Sequence, residues 1–205
     1  MKVSLSWLRE LVEIPCEEQE LAESLSMSGF EVEEVLDLSE SMKGIVTGYI
    51  TDIKKHPNAD KLKVCTVEIG KNKAIQVVCG APNVRKNIHV LVATNGSYLK
   101  AIDLKIKTSE LRGVISEGMI CSLEELGLPS KDQGIAVMEE LNYKNPQIGK
   151  IPIEGFGLND LIIEIAITAN RPDGMSMVGI AREVSAIKQS ELKLPKISID
   201  GEYKI

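Results

Sequence analysis

The fold is indicated first by the stretch Gln76-Val77-Val78-Cys79-Gly80-Ala81-Pro82-Asn83-Val84. An apolar run here ends directly in a turn signal, as a short β-strand does. The pattern recurs through the middle of the chain, with β-rich runs at Ile45–Ile53, Leu62–Ile69, Ala74–Cys79, His89–Ala93 and Ile102–Lys107, followed by Leu111–Ile115. About five short strands in roughly a hundred residues predict a small closed barrel, although a β-sandwich fits the spacing nearly as well.

The N-terminal segment has a different pattern, that of two helices and a strand. Ser4 or Ser6 is a candidate cap for the first helix, and Pro15 ends it. One face of this helix is expected to hold Trp7, Leu8, Leu11 and Val12. The second helix begins at about Glu17, its buried side is expected to hold Leu21, Leu25 and Met27, and Gly29 fits its left-handed C-terminal position. The residues from Phe30 to Glu33 alternate as a strand.

The C-terminal segment also mixes strand and helix. Leu161–Ile167 is apolar at nearly every position, which predicts a strand buried on both faces. Ser176 is the expected cap of a helix with Met177, Ile180, Ala181, Val184 and Ile187 along one side. Neither flank has enough apolar residues for a domain of its own. The sequence therefore predicts an α+β fold in which residues 1–39 and 151–190 form one split α+β domain. A small five-stranded β-barrel, of which the OB-fold is one kind, is inserted into it at residues 40–150, and residues 191–205 begin a further segment or form a tail.

Charge and composition limit the classes of function. The net charge is −6, but residues 40–150 hold 16 basic and 12 acidic side chains, a net charge of +4, between flanks of −8 and −2. This asymmetry fits an anionic partner for the middle segment, and it fits equally well a weak charge that is spread over a whole surface. Aromatic residues are only 3% of the chain, so a nucleic-acid surface that depends mainly on stacked rings is excluded. The four cysteines form no CxxC pair, and with no export signal or membrane-spanning run they indicate a cytoplasmic protein.

Motifs of catalysis are missing from the sequence. It contains no P-loop, no dinucleotide-binding glycine pattern, no HExxH and no GxSxG. The only histidines, His56 and His89, have no metal-ligand partner at a suitable spacing, and we interpret both as structural, His56 as a turn residue. We therefore expect neither a catalytic residue nor a metal site.

Two stretches are candidates for binding. Lys54, Lys55 and Lys61 surround the turn His56–Leu62, where lysines can face phosphates as mobile point charges. Residues 111–122 contain glycines at positions that suit close backbone approach, together with Ser116 as a possible phosphate ligand and Met119 as a packing residue. Taken alone, each stretch is better explained without a binding role, the first by a solvated loop and the second by barrel packing.

Three motifs in order are similar to those of the EMAP II-type tRNA-binding domain, over about residues 40–150. They are the stretch from Gln76 to Val84, the turn from His56 to Leu62 and the run Ser116-Glu117-Gly118-Met119. This resemblance implies an OB barrel whose loops dock the outer corner of tRNA by shape and backbone. The candidate tRNA-binding residues that it implies are Lys54, Asn58, Lys61, Asn83, Arg85, Arg112, Ser116 and Met119.

The flanks resemble the bacterial-type phenylalanyl-tRNA synthetase β subunit. The similar stretches are Met1–Leu8, Gly29–Glu33 and the run from Ile167 to Asp173 with its following helix, although Ala169 stands where that pattern usually has Pro. The resemblance implies tRNA and the α subunit of an α₂β₂ enzyme as partners, and neither DNA nor a membrane. ATP and Mg²⁺ then belong to the whole enzyme and no cofactor to this chain. We expect Asn170, Arg171 and Asp173 to form a structural turn, with Asp173 bonding amides of the next helix.

Two other functions stay open at this point. One is a freestanding tRNA-binding or chaperone-like protein, which acts as a dimer. The other is a structural module that braces the synthetase and hardly touches tRNA, which the modest charge of +4 permits.

Overall fold

The computed structural model describes residues 1–70, 73–130 and 134–196, so most of the expected tail, residues 197–205, lies outside the described residues. The helices and strands, in chain order, are β1 (Lys2–Ser4), α1 (Leu5–Leu11), α2 (Glu18–Met27), β2 (Glu31–Asp37), β3 (Ile45–Lys55), β4 (Lys63–Glu68), β5 (Ala74–Cys79), β6 (His89–Thr94), β7 (Tyr98–Leu99), β8 (Leu104–Lys105), β9 (Ser109–Leu111), β10 (Val114–Ser116), β11 (Gly118–Ile120), β12 (Leu161–Ala166) and α3 (Met177–Lys188). They divide into two compact units. The first joins Met1–Leu38 to the residues from Asp160 onward, and the second is Ser39–Asn159.

The first unit packs its three helices with a small antiparallel sheet of order β1-β12-β2. Ser4 caps α1 as predicted, since its hydroxyl accepts a hydrogen bond from the Trp7 amide at 3.1 Å. Gly29 follows α2 with a φ of +88°, the left-handed conformation that its position predicted. The core of this unit includes Leu5, Leu8, Leu21, Leu25, Phe30, Ile163, Ile165, Ile180 and Val184.

Three expectations about this core are wrong. Trp7 is 54% exposed, because α1 begins at Leu5 and turns Leu5, Leu8 and Leu11 inward instead. Met27 is 89% exposed, since it is the last residue of α2 and lies beyond the buried positions Leu21 and Leu25. The strand β12 is not buried on both faces, because it lies in an antiparallel sheet and only alternate residues, Ile163 and Ile165, are fully buried.

The turn before α3 is held mainly by Arg171. Its guanidinium donates to the Ser28 carbonyl at 2.9 Å and to the Glu183 carboxylate at 2.7 Å. The expectation that Asp173 bonds amides of the next helix is corrected. Its carboxylate instead receives the Arg171 guanidinium at 3.1 Å, and the first turn of α3 is capped by the Ser176 hydroxyl, which accepts from the Gly179 amide at 3.0 Å. Asn170 lies exposed in the same turn.

The second unit contains a five-stranded antiparallel sheet of order β11-β6-β3-β4-β5. Its two edges approach each other where the Glu117 amide donates to the Gln76 carbonyl at 2.8 Å, so the sheet curls into a nearly closed barrel. This architecture confirms the predicted five-stranded barrel within an α+β fold and excludes the sandwich. Apolar side chains of all five strands fill the interior, among them Ile50, Val67, Val77, Val90, Val92 and Ile120.

The connection between β6 and the last barrel strand differs from the predicted one. The expected strand Ile102–Lys107 is reduced to β8, because a 3-10 turn occupies Lys100–Ile102 and Asp103 adopts a left-handed φ of +49°. The expected strand Leu111–Ile115 is a hairpin, β9–β10, since the chain reverses at Arg112 and Gly113, both at positive φ. The fifth barrel strand is β11, a three-residue strand that the pattern did not predict.

The segment after the barrel strands is part of the second unit and bonds to strands of the barrel. Val137 forms a bridge with Val90, and the Gly149 amide donates to the Thr47 carbonyl at 2.7 Å. A 3-10 turn at Glu124–Leu126 precedes this segment, and Gly127 ends the turn in the left-handed conformation. Among the described residues, no helix has the length and apolar character that crossing a membrane requires.

Candidate nucleic-acid interface

Two of the predicted binding stretches meet at His56, which is only 5% exposed. Its Nδ1 accepts a hydrogen bond from the Asn58 amide at 3.1 Å, and its Nε2 lies 3.0 Å from the Leu111 carbonyl oxygen. An amide N–H can only donate and a carbonyl can only accept, so Nε2 carries the proton and the ring is neutral. The imidazole thereby connects the turn after β3 with the β9–β10 hairpin.

Asn58 makes a second connection between these segments. Its side-chain amide donates to the Arg112 carbonyl at 2.9 Å, beside the point at which the hairpin reverses. A Cβ atom added to Gly113 would lie 3.2 Å from the Asn58 side-chain nitrogen, so glycine suits this close approach as well as its φ of +88°. We call residues 54–62 the lysine turn and β9–β10 the arginine hairpin.

Four exposed cationic side chains belong to these two segments, Lys54, Lys55, Lys61 and Arg112. Within the part of the chain that the structure describes, none of the four forms an ion pair within 4 Å or a side-chain hydrogen bond. Lys63 and Lys86 nearby differ, since Lys63 donates to the Val84 carbonyl at 2.9 Å and Lys86 pairs with Asp52. The surface therefore presents basic groups that are available to an anionic partner.

Ser116, the last residue of the arginine hairpin, and the next residue, Glu117, close the barrel. The Ser116 hydroxyl accepts from the Val78 amide at 3.1 Å and donates to the Gly118 carbonyl at 2.9 Å. The Glu117 carboxylate accepts from the Gln76 amide at 3.0 Å. The two side chains thus accept hydrogen bonds from β5 amides. In a fully paired sheet, carbonyl groups of a neighbouring strand would accept those bonds. Ser116 is only 3% exposed, which places its hydroxyl inside the protein rather than on a binding surface.

Asn83 and Arg85 are engaged elsewhere on the same unit. The Asn83 side chain donates to the Ile135 carbonyl at 2.9 Å and accepts from the Ile135 amide at 3.0 Å, so it fixes the segment that returns across the barrel. Arg85 pairs with the Glu140 carboxylate at 2.7 Å. Both side chains already have protein partners, unlike the cations of the lysine turn.

Met119 lies on β11 and is half-buried. With residues that include Val78, Ala81 and Ile135 it lines an open groove of about 500 Å³. The structure therefore places Lys54, Asn58 and Lys61 of the predicted set in the lysine turn and bonds that turn to the hairpin that carries Arg112. It places Asn83, Arg85, Ser116 and Met119 in other surroundings.

Sequence reasoning missed the connecting role of His56 and the closing role of Glu117. Leu111 is 55 residues from His56 and offers only its backbone, so no side-chain pattern marks the contact. In the part of the chain described by the structure, no group of three or more His, Cys, Asp and Glu side chains could hold a metal ion.

The part of the chain that forms the barrel matches a known class of domain. Residues 45–144 match the family model described as "Putative tRNA binding domain". A solved structure, the C-terminal domain of Plasmodium vivax p43, matches 45% of this chain and 50% of its own, with 25% identity and a TM-score of 0.33.

The whole chain has more specific relatives. It is 67% identical over all 205 residues to the phenylalanine–tRNA ligase beta subunit of Prochlorococcus marinus (strain SARG), of which it covers 24%. It is 56% identical over 204 residues to the same subunit of Synechococcus sp. (strain CC9902), of which it covers 25%. The chain thus belongs to the phenylalanine–tRNA ligase β-subunit family and corresponds to its N-terminal region. It spans about a quarter of the length of the curated relatives it matches.

Proposed function

We propose that the second unit binds tRNA through the lysine turn and the tip of the arginine hairpin, and that this binding supports the formation of phenylalanyl-tRNA. The observation that carries the proposal is the joining of four exposed cations on two mutually bonded segments. Among the described residues none of these cations forms an ion pair within 4 Å. The match of residues 45–144 to a tRNA-binding family supports the same function.

The mechanism that we propose is electrostatic attraction followed by docking of shape. Lysine ammonium groups act as point charges for phosphates, and the guanidinium of Arg112 adds a planar donor. Such contacts recognise the path of the RNA backbone and carry little sequence information. The aromatic content of 3% fits a surface that does not depend on stacked bases.

The remaining steps of the ligase reaction are assigned in this proposal to the other parts of the enzyme. The relatives are named as β subunits, which supports an α subunit as partner. ATP and Mg²⁺ would be used by the whole ligase, which the name of the relatives as phenylalanine–tRNA ligase subunits supports. Four unpaired cysteines support a cytoplasmic location.

The experiment that tests this proposal is the binding of unfractionated tRNA at several salt concentrations, with a plain RNA duplex as competitor. We expect salt-sensitive binding that the duplex displaces poorly. Log affinity falls as log salt rises, and the variant Lys54→Gln/Lys61→Gln should make this negative slope shallower by about 1.5, because two phosphate contacts are lost.

A matched control is available on the same unit. The Lys150 carbonyl accepts from the Thr47 amide at 2.9 Å, and Thr47 lies about 26 Å before Lys55 along β3 at ~3.3 Å per residue. The variant Lys144→Gln/Lys150→Gln removes the same charge and should leave the salt slope unchanged. Equal losses in both double variants, or displacement by any duplex, would contradict the proposed surface and favour a module that braces the synthetase.

A further inference from the structure

We infer that His56 is a positioning residue for tRNA, holding the arginine hairpin against the lysine turn so that Arg112 and the lysines form one binding surface. This inference rests on the proposed function of that surface. It gives a role to a histidine whose sequence context indicates only a turn.

The ring of His56 is bonded at both of its nitrogens. His56 is 95% buried, and its two nitrogens bond to backbone atoms of different segments, the Asn58 amide and the Leu111 carbonyl. Both partners are rigid backbone groups, so the ring plane fixes the direction in which the hairpin leaves the turn. Only the neutral tautomer with the proton on Nε2 satisfies both bonds.

His56 and Asn58 hold the hairpin close to its tip. Leu111 directly precedes the reversal at Arg112, and the Asn58 side chain bonds to the carbonyl of Arg112 itself at 2.9 Å. The outer part of the hairpin is otherwise exposed, with Ile115 at 55% and Leu111 at 41%. The bonds to Gln76 and Val78 hold the base of the hairpin but not its tip. The position of the hairpin tip, and with it the point from which the Arg112 side chain extends, therefore depends on His56 and Asn58.

Two amide substitutions separate the two bonds of the ring. An asparagine at position 56 can place its carbonyl oxygen near the position of Nδ1, which keeps the acceptor for the Asn58 amide but cannot reach Leu111. A glutamine can place its amide nitrogen near the position of Nε2, which keeps the donor to Leu111 but loses the acceptor inside the turn. His56→Asn thus releases the hairpin, whereas His56→Gln retains it.

The experiment compares tRNA affinity and its salt slope for His56→Asn, His56→Gln, Arg112→Gln and the double variant His56→Asn/Arg112→Gln. We expect His56→Asn to weaken affinity by about five- to tenfold, the range for loss of one hydrogen bond. The salt slope should become shallower by the amount that about one phosphate contact contributes. His56→Gln should bind more tightly than His56→Asn. The double variant should bind no more weakly than Arg112→Gln, because His56 acts through Arg112.

The control is the other histidine. The His89 ring bonds to the Glu139 carboxylate at 2.7 Å, away from both segments, so His89→Asn should leave affinity and slope unchanged. Unchanged affinity in His56→Asn would overturn the inference. Losses that multiply in the double variant would also overturn it, since His56 would then act independently of Arg112.

Two further measurements keep the test decisive. If His56→Asn does not fold, Asn58→Ser removes the other bond to the hairpin tip, and it should show the same non-multiplying loss with Arg112→Gln. If the unsubstituted chain does not bind tRNA, the proposed function fails. Hydrogen exchange then still decides the structural part, because His56→Asn must speed exchange at the hairpin tip, and unchanged exchange would overturn the coupling.

Discussion

The guanidinium carbon of Arg171 lies 4.0 Å from the centre of the Phe30 ring. The same guanidinium bonds to the Ser28 carbonyl and to the Glu183 carboxylate. One side chain thus joins the end of α2, the aromatic core residue Phe30 and the helix α3. Bonds to both carboxylate partners, first Asp173 and then Glu183, raise the pKa of this guanidinium further above its ordinary value.

We expect Arg171→Met to lower the melting temperature of the chain by about 5 °C or more, as scaled for a small unit. The substitution keeps the apolar stem but leaves the Ser28 carbonyl and the Glu183 carboxylate without their donor. Arg182→Met, at an exposed position of α3, is the matched control and should change the melting temperature little. Thermal denaturation followed by circular dichroism measures both, and equal effects would contradict a joining role for Arg171.

Asp173→Ala tests how much the pairing of the Asp173 carboxylate with Arg171 contributes to the turn. The Arg171 guanidinium lowers the pKa of the Asp173 carboxyl, but the Asp173 side chain is 57% exposed and water screens the pair. We therefore expect a smaller fall in melting temperature than for Arg171→Met, and no change in tRNA affinity. A larger fall, or a loss of tRNA binding with stability intact, would assign the turn a different role.

The sequence predicts the fold where local chemistry is sufficient. Alternating apolar runs and turn residues identify β3 to β6, and Ser4, Gly29 and Ser176 mark helix ends at the positions observed. The pattern fails at β11, because three residues between turns are too few to show a period. It also fails at Trp7, whose exposure is determined by the residue at which α1 begins.

The candidate surface is predictable only in part for a similar reason. Lysines around a turn are visible in the sequence, and the order of motifs indicates which family they belong to. The bonds that distinguish Asn83 from Asn58 join residues about fifty positions apart and end on backbone atoms. Backbone partners leave no trace in residue type, so the family resemblance implies the same role for both asparagines.

Ser116→Ala should destabilise the second unit. The hydroxyl is buried and accepts from the Val78 amide, so its removal leaves a buried donor unsatisfied at a cost of about 1–3 kcal/mol. Ser109→Ala is the control, since Ser109 is the cross-strand neighbour of Ser116 but is exposed. Urea denaturation gives both free energies of unfolding. A cost below that of Ser109→Ala would contradict a closing role for the Ser116 hydroxyl.

Asp160 should make the stability of the first unit depend on pH. Burial alone would raise the pKa of its carboxyl, but bonds from the Ser4 hydroxyl at 2.6 Å and the Ser6 amide at 2.9 Å outweigh burial and lower it. A lowered folded pKa means that the stabilisation is complete above the unfolded value, about 3.9, and is lost as pH falls through the folded pKa.

The measurement for Asp160 is the melting temperature as a function of pH. Asp160→Asn cannot ionise, so we expect it to be less stable than the unsubstituted chain at neutral pH and to approach it as the pH falls below about 4. Glu10→Gln, at an exposed position of α1, should keep the original pH dependence. A constant difference between Asp160→Asn and the unsubstituted chain at every pH would show that the charge is not the stabilising feature.

The last prediction separates Asn83 from Lys61, which the sequence places in the same candidate set. Asn83→Ala removes both hydrogen bonds to Ile135 and should lower the free energy of unfolding by about 1–3 kcal/mol. Its salt slope for tRNA should stay unchanged, because no cation is lost. Lys61→Gln should show the reverse, unchanged stability and a salt slope lower by about 0.7–0.9, since Lys61 is exposed and makes no ion pair among the described residues. Urea denaturation and tRNA titration of both variants decide the assignment, and a slope change in Asn83→Ala at full stability would return Asn83 to the binding surface.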